Sequence, residues 1–259
     1  MKKLLSLLCI SALLWSCSED QDDNAIASQY AAFSLKFTHN WDGNSVSNND
    51  FNNLKYLNAN GEQLSIEALR YLVSNVSLEH ENGEIYHFDN YNLVDVTNAN
   101  NLEFFVTDSI PIGHYNNVSF TFGFNDNDNI DGIYQDLNSA SWNVPETLGG
   151  GYYYMQLEGK FITPSTDETI PEETGYQYHT IRAADTSGTS LILTDTSINV
   201  NLGPTTVSNN KVLTAEMNVA EWFKNPNLWD LNTLHSMLTS NYEAQLMMNE
   251  NGQNVFRLD

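Results

Sequence analysis

The sequence predicts an all-β protein, a β-sandwich with short C-terminal helices, and three observations support this. Apolar and polar side chains alternate in segments such as Phe33-Ser34-Leu35-Lys36-Phe37, which is the period of a sheet with one dry face. Many short candidate strands are separated by turn residues, as in sandwiches. The 3.6-residue period of an amphipathic helix is scarce until the end of the chain.

The candidate strands follow one another along the chain with turns between them. They cover residues 32–37, 69–78, 85–88, 92–96, 102–105, 115–122, 152–161, 177–181, 190–193, 197–202, 212–218 and 255–258. Asn82-Gly83 predicts a hairpin between the second and third of these segments. Near residue 178, strand geometry places Gln177 and His179 on one face and Tyr178 on the other.

Two helices are predicted near the end of the chain. Asn218 and Glu221 have the spacing of a capping box, so a helix is expected over residues 219–224, stopped by Pro226. A longer helix is expected over residues 230–248, with His235 facing inward on its apolar stripe. That stripe comprises Leu231, His235, Leu238 and Tyr242.

The beginning of the chain predicts export and lipid anchoring. Lys2 and Lys3 precede an apolar run that ends at Trp15 and is too short to span a membrane. Leu14-Trp15-Ser16-Cys17 fits a bacterial lipobox, so residues 1–16 are interpreted as a signal peptide and Cys17 as the acylated residue. The alternative is an ordinary signal peptide with a chance cysteine. Cys9 would be removed with the signal peptide, which leaves no pair of cysteines for a disulfide.

Residues 17–29 then form the acylated cysteine and an acidic tether, and residues 30–259 form a single domain. The run Ser18-Glu19-Asp20-Gln21-Asp22-Asp23 resembles the surface-export sequence of Bacteroidetes lipoproteins, although a plain solvated linker fits equally well. The expected location is therefore the cell envelope, as an outer-membrane lipoprotein that faces the periplasm or the outside. The net charge of −23 repels phosphate backbones and argues against nucleic acid as a partner.

Three of the six histidines stand out as candidate ligands. His39 leaves a strand of apolar alternation, His179 lies on a short strand, and His235 lies on the predicted apolar stripe. They are either separate core residues or ligands that meet in the folded chain, and spacing alone does not decide between the two. The remaining histidines, His80, His87 and His114, are interpreted as surface or packing residues.

Several segments together resemble the MbnP-like family of extracytoplasmic copper-binding proteins, in its Bacteroidetes lipoprotein branch. The matching segments cover residues 37–43, 69–78, 91–95, 112–115, 149–160, 178–179, 217–223, 235–237 and 251–256. The most informative of them runs from the Gly149-Gly150-Gly151 turn into an aromatic-rich strand. Each segment is weakly specific, and their order and spacing carry the resemblance.

The resemblance implies a copper-binding β-sandwich without known turnover, so no enzymatic activity is expected. Relatives use histidines together with a tryptophan that a di-haem cytochrome peroxidase-like partner oxidises to kynurenine. By resemblance the ligands are His39 and His179, with His235 as a third, and the tryptophan is Trp142 or Trp41. An outer-membrane transporter is a further expected partner, and the cofactor is a copper ion, Cu(I) or Cu(II).

Two departures from the family pattern bear on this site. Relatives often have histidine where this chain has Tyr153, and a doubled tryptophan is reduced to Trp142. A lost ligand, a different metal or an unmodified tryptophan therefore stay open. Thioether sulfur favours Cu(I), so Met155, predicted to share a strand face with Tyr153, and Met237 are further candidates, although methionine is more often core filler.

Other functions have less support in the sequence. A surface module that binds glycan or a partner protein is the main alternative, with an aromatic platform of Trp41, Tyr152, Tyr153, Tyr154 and Trp222. Residues 125–132 resemble a calcium loop but lack the glycine and glutamate of an EF-hand, so a solvated loop is favoured. A hydrolase is least supported, because His-Glu-x-x-His and nucleophile-elbow motifs are absent from the sequence.

Overall fold

The computed structural model describes residues 29–106, 108–163 and 172–259. The predicted signal peptide, Cys17 and residues 18–28 of the acidic tether lie outside the described residues. None of the helices in the described ranges is long and apolar enough to cross a membrane.

Strands dominate the described chain. In chain order they are β1 Tyr30–Ala31, β2 Phe33–Trp41, β3 Asn44–Ser45, β4 Tyr56–Leu57, β5 Gln63–Leu64, β6 Ala68–His80, β7 Ile85–Asp95, β8 Glu103–Phe105, β9 Ile110–Pro111, β10 Gly113–Phe122, β11 Met155–Thr163, β12 Glu172–Thr180, β13 Ala183–Asp185, β14 Ile192–Thr194, β15 Ile198–Val207, β16 Lys211–Asn218 and β17 Phe256–Leu258. The α-helices are α1 Gln135–Ser139 and α2 Tyr242–Gly252, and short 3₁₀ turns span Asn48–Asp50, Glu146–Leu148, Val219–Phe223 and Leu238–Ser240.

The first sheet has eight strands arranged around the long strand β6. On one side of β6 lies β7, joined to it by a tight hairpin. On its other side β10 pairs with residues 73–80 and β11 with residues 68–71, so these two strands follow each other along the same edge. Beyond them, β15 pairs with β10 and β12 pairs with β11. The short strands β4 and β5 complete the sheet.

The second sheet has five strands and packs over the first. Its centre is β2, which pairs in parallel with β16, from Phe33 opposite Lys211 to Asn40 opposite Asn218. The short strands β3 and β8 pair with the other edge of β2, and β17 pairs with β16. This arrangement of sheets confirms the predicted all-β sandwich.

Aromatic rings fill the space between the two sheets. Phe37 of β2 makes edge-to-face contacts with Tyr71 of β6 and Phe120 of β10, with ring centroids 5.9 and 5.7 Å apart. Phe256 of β17 packs 5.1 Å from Phe120. These rings belong to the main hydrophobic core, which comes from the inward positions of both sheets.

A second, smaller core covers the outer face of the first sheet. Its buried members are Leu72, Phe124, Leu137, Trp142 and Tyr152. Leu72 is the outward neighbour of Tyr71 on β6, and the other four come from the segment between β10 and β11. That segment therefore folds back over the sheet and encloses Trp142, which has no exposed surface.

The long helix predicted over residues 230–248 is wrong. Residues 230–237 form turns, and α2 begins only at Tyr242, where the side chain of Asn241 accepts a hydrogen bond from the amide of Ala244. Met237 has a left-handed backbone with φ 55°, which no α-helix accommodates. The short helix predicted over residues 219–224 is present as a 3₁₀ turn over Val219–Phe223. The side chain of Asn218 caps it by accepting a hydrogen bond from the Ala220 amide.

Candidate metal centre

His39 lies in the interior of the sandwich. Its side chain points from β2 toward the first sheet, and its Nε2 atom is 2.9 Å from the hydroxyl oxygen of Tyr71. Burial lowers the pKa of His39 to about 4, so the ring is neutral at physiological pH. His39 also lines a cavity of about 180 Å³, but no second histidine or carboxylate lines it. Among the described residues that line this cavity, few besides His39 have a side chain that could bind a metal ion.

His179 lies on the outer face of the first sheet. Inward positions of β12 hold the fully buried rings of Tyr176 and Tyr178, so the alternation of the strand turns His179 outward. The predicted separation of His179 from Tyr178 is thus confirmed. Its Nε2 atom is 2.8 Å from Oε1 of Glu158 on the adjacent strand β11. The hydrogen bond from His179 lowers the pKa of the Glu158 carboxyl, although partial burial acts in the opposite direction.

Tyr153 and Trp142 join His179 on this outer face. The ring of Tyr153 contacts that of His179 edge to face, with centroids 5.5 Å apart. The ring of Trp142 lies 6.0 Å from Tyr153, and its indole Nε1–H donates to the Tyr153 carbonyl over 2.6 Å. The guanidinium of Arg70 stacks over Trp142 at 4.9 Å from the ring centroid. Trp142, Tyr153 and His179, which the sequence indicated as candidates, are thus neighbours.

The pairing of strands aligns the polar part of this surface. Arg70 on β6 lies opposite Gln156 on β11, and Gln156 lies opposite His179 on β12. The Arg70 guanidinium donates to the Gln156 amide oxygen over 2.6 Å. We call Arg70, Trp142, Tyr153, Glu158 and His179 the His179 patch.

The structure does not bring the three candidate histidines together. His39 hydrogen bonds to Tyr71, whose side chain points inward from β6, whereas His179 is level with Arg70 and Gln156 on the outward side. The first sheet therefore lies between the two imidazoles. Among the described residues no group of three or more His, Cys, Asp and Glu side chains could hold a metal ion.

The carbonyl oxygen of His235 accepts a hydrogen bond from the Gln177 amide over 2.8 Å, but no described contact joins its imidazole to that of His39 or His179. His235 lies in the turns before α2 rather than on a helix, so the predicted apolar stripe does not exist there. Its Nδ1 atom is 3.0 Å from the Leu231 carbonyl oxygen, and its ring packs 5.8 Å from that of Phe161 on the inward face of β11. A role beside His179 as a third ligand thus has no support in the geometry.

The two candidate methionines lie away from the His179 patch. Met155 is buried in the main core, so the prediction that it shares a strand face with Tyr153 is wrong: β11 begins only at Met155, after Tyr153. Met237 is 77% exposed, and no contact joins it to the patch. The second candidate tryptophan, Trp41, packs against Tyr56 and Phe223 in the core.

The glycine turn positions the patch by anchoring the segment before β11. Gly149, Gly150 and Gly151 all have positive φ, between 63° and 93°, a conformation that residues with a Cβ rarely adopt. This turn allows the Gly151 amide to donate to Asp131 and the Tyr152 amide to donate to Asn129. In the loop at 125–132 these two side chains thus bind backbone amides, which fits a structural loop better than a calcium site.

Donors near His179 suit Cu(II) better than Cu(I). The patch contains nitrogen and oxygen groups and no thioether, and such donors favour Cu(II), whereas thioether sulfur favours Cu(I). No described residue hydrogen bonds to Nδ1 of His179, so this nitrogen could bind a metal while Glu158 holds the other. The fit is that of an open site, in which the remaining ligands would come from water.

A family model named MbnP matches residues 30–241 of the chain. The chain belongs to the MbnP family. Among solved structures, MbnP from Methylosinus trichosporium is similar with a TM-score of 0.53 over 85% of this chain and 88% of that chain. Their sequences are 13% identical, so this likeness concerns the fold. No curated protein sequence matches the chain.

This match confirms the family that was named from the sequence. The match begins at Tyr30, the first residue of β1, and ends at Asn241, the residue that caps α2. Sequence reasoning did not select Glu158 or Arg70 as site residues. The alternation of β11 could have indicated Glu158, because it shares a face with Gln156, but the neighbours of that face depend on strand pairing.

The aromatic platform proposed for a glycan module is not present. Trp41, Tyr152, Tyr154 and Trp222 are all buried, with at most 5% of their surface exposed. Tyr153 is the one member of that set with a partly exposed side chain. A sugar-binding platform needs exposed rings, so the structure gives this alternative no support.

Proposed function

We propose that this MbnP-family protein is a lipid-anchored copper-binding protein of the cell envelope, which captures copper or transfers it and catalyses no reaction. Membership in the MbnP family supports the fold and the general class of protein. The lipobox at Cys17 supports the anchor, and the resemblance described above supports copper. In this proposal a di-haem peroxidase-like protein and an outer-membrane transporter are the partners.

The observation that carries the copper site is the contact between His179, Tyr153 and Trp142. A histidine with one nitrogen held by Glu158 and the other without a described partner is prepared to bind a metal ion. The ring of Tyr153 packs against this imidazole, at the position where relatives often have histidine. In this arrangement the chain's residues orient the imidazole and support its basicity.

The test compares two histidine variants of the mature protein. We expect the wild type to bind Cu(II) and His179→Ala to lose most of that binding, measured by isothermal titration calorimetry and by electron paramagnetic resonance of nitrogen ligation. His39→Gln is the matched control, because His39 lies on the other side of the sheet and should leave binding unchanged. Equal affinity of the wild type and His179→Ala would refute this site.

Oxidation of tryptophan is tested by intact mass after native expression. Conversion of tryptophan to kynurenine adds one oxygen and removes one carbon. Trp142 is the candidate because it belongs to the patch and its ring contacts that of Tyr153. Peptide mapping should therefore locate the change at Trp142 and not at Trp41. An unmodified mass, in cells that contain the peroxidase-like partner, would remove kynurenine from the proposal and leave copper binding to be judged by the titration.

A further inference from the structure

Strand β12 carries His179 at an edge of the first sheet. In the described part of the chain, β12 pairs with β11 alone, so its other edge has no neighbouring strand. Backbone groups of successive residues in an antiparallel strand face alternate edges. Because the Thr180 carbonyl accepts from the Tyr154 amide at the start of β11, the carbonyl of His179 faces the open edge. It therefore needs a partner from outside the sheet.

The segment from residue 235 to residue 245 supplies the partners at this edge. The amide of Gln177 donates to the His235 carbonyl over 2.8 Å. Further along β12, the side chain of Gln245 bonds to two backbone groups. Its Nε2 atom donates to the His179 carbonyl over 2.8 Å, and its Oε1 atom accepts from the Ile181 amide over 2.9 Å. One carboxamide thus makes the two bonds that a residue of a parallel strand would make.

The carboxamide of Gln245 is itself fixed in one orientation. Gln245 lies on α2 and is 1% exposed. Its Nε2 atom also donates to the Leu238 carbonyl over 3.0 Å, so both ends of the amide are bonded. A rotation of this group would leave buried polar atoms without partners, which is costly in the interior of a protein. Helix α2 therefore sets the position of the His179 carbonyl.

These bonds lie at the end of β12, where the geometry of the His179 patch depends on them. The strand ends at Thr180, one residue after His179, so its ladder with β11 does not continue beyond that point. Ends of elements open more readily than their centres. A shift of this end would move the imidazole away from Glu158, whose Oε1 is 2.8 Å from Nε2, and from the ring of Tyr153.

We propose that Gln245 is a positioning residue of the His179 patch, which holds the backbone on both sides of Thr180 and so keeps the His179 imidazole against Glu158. This inference rests on the proposed function, in which His179 binds copper. Gln245 itself does not touch the metal and acts through the backbone of β12. His235 contributes to the same edge through its carbonyl oxygen rather than through its imidazole.

The experiment compares two buried amides of the same helix in the mature protein. Gln245→Met removes three hydrogen bonds and nearly keeps the length of the side chain. Asn251→Leu is the matched control, because Asn251 has no exposed surface and also makes three hydrogen bonds, but to Trp222 and Asn227. Gln245→Glu is a second variant, which keeps the acceptor for the Ile181 amide and, as a carboxylate, loses both donors.

The first measurement is made without metal. Nitrogen NMR of the His179 ring reports its hydrogen bond to Glu158, and we expect the ring shifts to change in both Gln245 variants and to match the wild type in Asn251→Leu. Titration with Cu(II) should then show an affinity about tenfold lower in the Gln245 variants, as for other groups that orient a metal ligand. Circular dichroism checks the fold of each variant, and urea denaturation measures its stability.

Wild-type ring shifts and copper affinity in a folded Gln245 variant would overturn the positioning role. Equal changes in the Gln245 and Asn251 variants would also overturn it, because they would come from a general loss of stability. If the wild type binds no copper, the proposed function fails. The ring shifts of the metal-free proteins then still decide whether Gln245 positions His179.

Discussion

The Nε2 atom of His39 and the hydroxyl oxygen of Tyr71 share a hydrogen bond of 2.9 Å between the two sheets. Both side chains are almost fully buried, and burial raises the pKa of Tyr71 well above its ordinary value while it lowers that of His39. The pair is therefore neutral, and it links β2 of the second sheet to β6 of the first.

Acid should weaken the fold through His39. The pKa falls from 6.5 in the unfolded chain to about 4 in the folded one, so the unfolded state binds the extra proton first as the pH drops. The contribution of His39 to the free energy of unfolding is present above pH 6.5 and is lost as the pH falls toward 4. Between pH 7 and pH 5 the free energy of unfolding decreases by about 2 kcal/mol. Urea unfolding of the wild type and His39→Gln at both pH values measures it. An identical pH dependence in the two proteins would contradict this assignment.

Removing the carboxylate behind His179 should weaken copper binding without abolishing it. Glu158→Gln keeps the size of the side chain but loses the charge that supports the imidazole, and such losses typically reduce metal affinity by about 10- to 100-fold. Titration with Cu(II) measures the affinity, and nitrogen NMR of the His179 ring reports its tautomer. Gln177→Ala, an exposed change on the same strand face, is the control. Unchanged affinity and tautomer in Glu158→Gln would exclude this role.

A methyl group at Gly151 should cost more stability than one at Gly203. Both glycines have positive φ, 82° and 85°, so alanine is strained at either place by about 1 kcal/mol. At Gly203 a Cβ meets open space, whereas at Gly151 it would collide with Asn129, which accepts the Tyr152 amide. Loss of that hydrogen bond adds about 1 kcal/mol. Denaturation midpoints of the two variants measure the difference, and equal midpoints would refute the predicted collision.

The stacking of Arg70 on Trp142 should appear as a coupling between the two residues. In a double-mutant cycle with Arg70→Met and Trp142→Leu, we expect a coupling free energy of about 1 kcal/mol, because the ring is buried and the cation lies over its face. The loss of the indole N–H is common to both arms of the cycle and cancels. Additive changes in the free energy of unfolding would show that the contact contributes nothing.

Local patterns were enough to predict most of the strands. The period of two around Phe37 and the Asn82-Gly83 turn correspond to β2 and to the hairpin of β6 and β7, because alternation and turn geometry depend on neighbours in the sequence. The same kind of pattern failed at residues 230–237. There apolar residues at helical spacing belong to turns that pack individually, and nothing in their spacing reveals the left-handed backbone of Met237.

By itself, the sequence determined that the chain is a β-sandwich of the MbnP family, and it predicted an exported, acidic protein. Only the tertiary structure decided which candidate residues are neighbours. His39 and His179 look equivalent as sequence features, yet the first sheet separates them. Trp142 and Tyr153, from the segment before β11, meet His179 of β12. The physical reason is that the face of a strand follows from its own alternation, whereas its contacts depend on which strands pair with it and in which register.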